Sequence, residues 1–127
     1  SFVIREHNDN PLVFKNFDKA VKANPDARPL FHSDRGFQYT NRNFHHKLEK
    51  QRMTQSMSRV ARYIDNGPME GFWGILKREM YYGRRFTSKC ELMRSIEAYI
   101  HYYNHKRVQR NLGTLTPIEK HILYLAA

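Results

Sequence analysis

Two carboxylates set at structural boundaries constrain this chain most. Asp34 closes a short apolar run, and Glu70 falls in the first turn of a helix, with a strongly basic segment between them. The run Pro29-Leu30-Phe31-His32-Ser33 reads as a short strand of the buried type, and Asp34-Arg35-Gly36 turns the chain out of it. Two acids so placed can hold a divalent metal, and the cations around them suggest chemistry on a phosphate backbone.

The charge supports that direction through its placement. Residues 1–34 carry five Lys/Arg and five Asp/Glu, whereas residues 35–127 carry seventeen and seven, so the whole formal charge of +10 lies in the later part. Such segregation points to a polyanionic partner more than to simple solubility. At 127 residues the chain is one domain or part of one, with 40% apolar residues to build a core. Its single cysteine, Cys90, excludes an intrachain disulfide, fits a reducing cytosol and reads as an ordinary helix residue. No apolar run approaches the roughly 20 residues of a membrane span, and Ser1-Phe2-Val3-Ile4-Arg5 is too short for a signal peptide. The chain starts without Met in what reads as mid-element, so a truncated product is expected.

Taken in order, Phe2-Val3-Ile4 reads as the tail of a strand. A helix capped by Asn10, with Pro11 at its first position, follows, with Val13, Phe14, Phe17, Ala20 and Val21 on one face until Asn24-Pro25. After the strand at Leu30, Thr40 or Asn41 caps a helix anchored by Phe44 and Leu48. Residues 53–57 alternate enough for a strand, and residues 58–66 read as a mobile basic loop. The spacing predicts a helix over about 67–82. Met69, Phe72, Trp73, Leu76 and Met80 lie on one side, with Glu70, Gly74, Lys77, Arg78 and Tyr81 on another. A second helix spans about 88–104, with Leu92, Ile96, Tyr99, Ile100 and Tyr103 as its core stripe. A basic turn at residues 105–110 leads to a last short helix capped by Thr116. The order strand, helix, strand, helix, strand, helix, helix predicts an α/β layer with a helical carboxyl-terminal tail, divided at about 1–82 and 83–127. In open α/β sheets ligands gather at the carboxyl ends of strands, where Asp34 sits.

Three ordered blocks resemble the integrase core of bacterial insertion-sequence transposases, relatives of retroviral integrases in the ribonuclease H-like superfamily. His32-Ser33-Asp34-Arg35-Gly36-x-Gln38-Tyr39-Thr40 is similar to the family's second-aspartate block. Asp65-Asn66-x-Pro68-Met69-Glu70-x-Phe72-Trp73-x-x-Leu76-Lys77-x-Glu79 is similar to its glutamate block, and the 35 residues between Asp34 and Glu70 match the family's spacing. Tyr103-Asn104-x-x-Arg107, then Leu112-Gly113-x-x-Thr116-Pro117-x-Glu119, resembles its carboxyl-terminal signature.

The resemblance implies a ribonuclease H-like integrase core lacking its first strands. It further implies metal-dependent cutting and strand transfer of transposon DNA through a two-metal site taking Mg²⁺ or Mn²⁺. Asp34 and Glu70 would be the second and third acids of the catalytic, metal-binding triad. No first acid is assigned, because Asp9 precedes a helix, Asp18 lies within it and Asp26 is in a loop. The chain by itself is therefore expected to be inactive, and the strand at Leu30 to have an unpaired edge. Lys77, Arg35, Arg59, Arg62, Arg78 and Arg107 are the expected phosphate contacts, with Asn66, Gly36 and Gln38 structural beside the site. The implied partners are transposon ends and target DNA, with homo-oligomerisation at full length and no membrane or small-molecule substrate. The implied place is the bacterial cytoplasm, at the nucleoid.

Blander readings stand beside these. Asp before x-Gly is ordinary turn chemistry, and Glu70 in a first turn favours the helix dipole. Trp73 and Phe72 read as core rather than base-stacking residues, and His32 as packed beside the strand end. Two rival functions remain. One is a degenerate fragment that only binds nucleic acid; the other is a zinc-stabilised module using His101 and His105, for which no third ligand is evident.

Overall fold

The first helix begins one residue earlier than its sequence suggests. Asp9, rather than Asn10, is the cap: its carboxylate accepts the Leu12 N–H at 2.9 Å, and Pro11 sits where its missing N–H costs nothing. In the computed structural model, which describes residues 1–60 and 63–126, this helix, α1, spans Asn10–Ala23. Strand β1 (Phe31–Ser33), helix α2 (Arg42–Lys50) and strand β2 (Gln55–Met57) follow. A 3₁₀ turn (Tyr63–Asn66) then leads into α3 (Gly67–Leu76), which continues as a π turn over Lys77–Tyr81. Helix α4 (Lys89–His105), a short 3₁₀ turn (Arg110–Leu112) and α5 (Pro117–Leu125) complete the chain.

The chain forms two compact units, Ser1–Glu70 and Gly71–Ala127. In the first, β1 and β2 pair in parallel, with Phe31 opposite Gln55, His32 opposite Ser56 and Ser33 opposite Met57. Parallel strands need a crossover between them, and α2 supplies it. Its anchors Phe44 and Leu48 are buried and, with Phe17, form the core, flanked by Val13, Phe14, Val21, Phe31, Tyr39 and Met53. The Phe44 ring meets Phe14, Phe17, Phe31 and Tyr39 at centroid distances of 5.3 to 5.8 Å. Truncating so fully enclosed a ring costs about 3–5 kcal/mol.

In the second unit Leu76, Met80 and Tyr99 are buried, and Phe72, Phe86, Ile96, Ile100 and Tyr103 pack on them. Four of the five residues of the expected α4 stripe, Ile96, Tyr99, Ile100 and Tyr103, are therefore used. Helix α5 begins with a reciprocal capping box: Thr116 Oγ1 accepts the Glu119 N–H, and the Glu119 carboxylate accepts the Thr116 N–H.

Further expectations change. Phe2-Val3-Ile4 is not a strand, because a strand exists only by pairing and these residues lie instead along α1. There Asn16 accepts from the Ser1 hydroxyl, and Lys19 donates to the Phe2 carbonyl. The sheet of the described residues accordingly has two strands. The basic loop at 58–66 contains the 3₁₀ turn. On α3, Met69 and Trp73 are exposed rather than core, since Phe72 and Leu76 already cover the surface that Tyr103 and Tyr99 offer. The two compact units divide after Glu70, and Phe72, Leu76 and Met80 pack with residues of α4.

Candidate active site

Asp34 follows directly from the carboxyl end of β1, so the strand pairing fixes its backbone. Its Oδ1 accepts the Gly36 N–H at 2.8 Å, closing the local turn that an Asp-x-Gly sequence favours. A side chain at residue 36 would meet that oxygen at 3.0 Å and Gln38 Oε1 at 3.1 Å, so only glycine allows the turn to close undisturbed. One oxygen of Asp34 is thus pinned; the other has no partner among the described residues, and the residue is exposed. Its negative charge reaches Tyr39, whose phenol is pushed up first by burial and then by Asp34.

The neighbouring residues brace this turn. Arg35 Nε donates to the Ser58 carbonyl at 2.9 Å, tying the ends of β1 and β2 together. Gln38 is buried, and its amide donates to Asn8 Oδ1 at 2.7 Å, so it anchors the segment before α1 rather than facing open solvent. His32 is exposed rather than packed, although its ring is tethered, with Nδ1 3.0 Å from Ser56 Oγ and Nε2 3.4 Å from Ser58 Oγ.

Glu70 lies in the first turn of α3, exposed and without an ion pair among the described residues. Asn66 is the last residue of the 3₁₀ turn that delivers it. Asp34 and Glu70 belong to the same compact unit. Both offer hard carboxylate oxygens, the donor type that Mg²⁺ and Mn²⁺ take. Among the described residues no group of three or more His, Cys, Asp or Glu side chains is gathered closely enough to hold a metal. The two carboxylates suit such an ion by donor type, and the described residues form no complete cage.

The expected cations divide into two kinds. Lys77 and Arg78 open the π turn, exposed and without an ion pair among the described residues. Arg35 also has no carboxylate partner among them. Arg59 and Arg107, in contrast, have internal partners. Arg59 grips Asp65 with Nε and Nη2 at 3.0 and 2.9 Å, and its N–H adds a third bond at 3.0 Å. Those bonds hold the Asp65 carboxyl down at about 2. Arg107 grips Glu79, with Nη2 2.6 Å from Oε1 and Nε 3.0 Å from Oε2, and lies over the Tyr103 ring. Tyr99 donates to the same Glu79 at 2.8 Å. Arg107 first, then Tyr99, keeps the Glu79 carboxyl below the usual range. Arg62 lies outside the described residues.

Sequence reasoning missed Glu79 as the shared acceptor of Arg107 and Tyr99. The available signal was chemical: a tyrosine on a core stripe needs somewhere to place its hydroxyl. His101 and His105 stack on each other, with centroids 4.5 Å apart.

Comparison with known proteins bears on this geometry. Residues 70–121 match a family model described as an integrase core domain. An uncharacterized transposase-like protein of Haemophilus influenzae is 43% identical over 106 residues, covering 84% of this chain and 49% of that protein. A candidate transposase for insertion sequence element IS150 of Escherichia coli is 38% identical over 120 residues, covering 94% of this chain and 42% of that protein. A second uncharacterized transposase-like protein of Haemophilus influenzae is 38% identical over 87 residues, covering 68% of this chain and 74% of that protein. The chain thus spans about half the length, or less, of the first two relatives. No solved structure matches it.

Proposed function

The chain belongs to the integrase-core family of insertion-sequence transposases, and from that premise we propose that it is part of a metal-dependent DNA-cutting and strand-transfer apparatus. The observation that carries this reading is Asp34: an acid at the carboxyl end of a parallel strand, one oxygen pinned by Gly36 and the other open. A ribonuclease H-like core is supported by the parallel pair, its helical crossover and the position of that acid.

Asp34 and Glu70 would hold divalent ions. When bound, such ions activate the attacking water or 3′-hydroxyl and stabilise the leaving oxygen at the phosphate. Gly36 keeps the Asp34 carboxylate aimed by fixing one oxygen. Glu70 is presented by the first turn of α3, where a carboxylate also suits the helix dipole. Lys77 and Arg78 hold phosphates, and Arg35 braces the strand ends while offering charge near Asp34. Transposon ends and target DNA are the substrates, recognised chiefly through the backbone, and the complete apparatus works as an oligomer at the nucleoid. With two of the triad's three acids, the chain as given does not join strands unaided.

The test uses the chain as it stands. Mn²⁺ binding, followed by calorimetry and by paramagnetic broadening of nuclear resonances near Asp34, weakens at least about tenfold in Asp34→Asn and in Glu70→Gln. Duplex affinity in the absence of metal is unchanged in both. Metal binding that survives both substitutions overturns the assignment and leaves the rival reading, a fragment that only binds nucleic acid.

A further inference from the structure

We propose that the turn at residues 81–86 is a stacking site for an unpaired nucleotide of the DNA. The turn links the π segment to α4 and carries Tyr81-Tyr82-Gly83-Arg84-Arg85-Phe86. Phe86 packs on the buried cluster of Leu76, Met80 and Tyr99. Tyr81 stacks on Phe86 with centroids 5.8 Å apart and planes 17° from parallel. Tyr82 stands edge-on to Tyr81 at 6.0 Å and 65°. An aromatic column therefore runs from the core outward and ends in rings 46% and 63% exposed. Gly83, at φ +78, makes the reversal that leaves Tyr82 at the tip.

One exposed tyrosine needs no explanation. This pair is different in being anchored, adjacent and flanked along the chain by cations. Lys77, Arg78, Arg84 and Arg85 form no ion pair among the described residues. The nearby acids are exposed but already engaged: Glu79 is held by Arg107 and Tyr99, and Glu91 accepts from the Thr87 N–H and hydroxyl. A cationic rim round an aromatic face is the arrangement that holds a phosphate and stacks its base. Duplex bases hide their faces from such a ring, so the ligand is an unpaired nucleotide, as at a cut or frayed end.

The proposal rests on the reading of the chain as a DNA-processing protein, and the experiment separates the two. Anisotropy titrations compare a blunt duplex with the same duplex carrying a short single-stranded overhang that contains 2-aminopurine. The wild-type chain prefers the overhang and quenches the 2-aminopurine. Tyr82→Ala and Tyr81→Ala weaken overhang binding about 5- to 100-fold and lose the quench, while blunt-duplex affinity holds within about twofold. Tyr82→Phe keeps the wild-type behaviour, since the ring and not the hydroxyl carries the contact.

Equal losses on both DNAs, or no loss on the overhang, overturn the stacking site. So does a concentration-dependent dimer that Tyr82→Ala abolishes without changing overhang binding, which would assign the face to a second copy. Overhang binding that depends on Tyr82 while Mn²⁺ binding ignores Asp34 and Glu70 sustains this proposal and defeats the metal site. Binding to neither DNA defeats this proposal along with the DNA reading.

Discussion

Asp65 titrates well below an ordinary aspartate because Arg59 gives it two guanidinium bonds and a backbone N–H. The carboxyl moves from the usual 3.8 to about 2. A depressed carboxylate contributes stability that is fully present above its unfolded value and is lost as pH falls through the folded one. Asp65→Asn should therefore lower stability at neutral pH, and its deficit relative to the wild type should close between about pH 4 and pH 2. Chemical denaturation at several pH values measures this; a deficit that ignores pH would mean that the clip contributes no charge interaction. Not every such residue was legible beforehand. The turn of Asp34 and Gly36 was, because Asp-x-Gly chemistry is local and two residues suffice to specify it. The pairing of Arg59 with Asp65 was not, since the sequence between them carries no apolar period that would bring them together. The pairing of Arg107 with Glu79 depends on how α4 folds back along the π turn, a tertiary fact with no local signature.

Elements follow the same rule of locality. Helices α1 to α5 were legible because a 3.6-residue apolar period or a capping side chain is written within a dozen residues, even though the cap of α1 is Asp9 rather than Asn10. Residues 2–4 were misread because β-branched apolar residues satisfy the strand pattern, yet pairing decides whether a strand forms. The π turn was illegible because it differs from an α-helix only in which carbonyl each N–H reaches, here closed by the Tyr82 N–H on the Lys77 carbonyl at 2.8 Å. The end of α2 offers a quantitative check. The Arg52 and Met53 N–H groups return to the carbonyls of Glu49 and Leu48 at 2.8 and 3.0 Å, which forces Arg52 to φ +55. A left-handed conformation costs a side-chain-bearing residue about 1–2 kcal/mol, and glycine's extra freedom in the unfolded chain returns part of that. Arg52→Gly should stabilise by about 0.5–1 kcal/mol, raising Tm by roughly 2–4 °C. A fall in Tm on calorimetry would show that Arg52 contributes more through its side chain than its backbone loses.

For the whole molecule, formal charge overstates the cations available to the proposed DNA partner. The chain carries +10, but folding engages some of its arginines and lysines: Arg59 with Asp65, Arg107 with Glu79, and Lys47 with Asp18 at 2.6 Å. A cation already neutralised by a carboxylate displaces few counterions when a phosphate approaches. One without such a partner displaces them fully, and each phosphate neutralised contributes about −0.9 to the slope of log K against log salt. Lys77→Ala and Arg78→Ala should each make that slope shallower by about 0.9 on duplex DNA. Arg59→Ala and Arg107→Ala should leave the slope nearly unchanged, and Arg107→Ala should lower Tm because it strands the Glu79 carboxylate beside Tyr99. Titrations from low to moderate salt decide the matter, since affinity at one salt concentration mixes charge with folding. Should Arg107→Ala flatten the slope as much as Lys77→Ala, the Glu79 pair must open on DNA and the two classes of cation collapse into one. If the classes hold, the basic character read from the sequence is a property of particular side chains: those the fold leaves without a carboxylate.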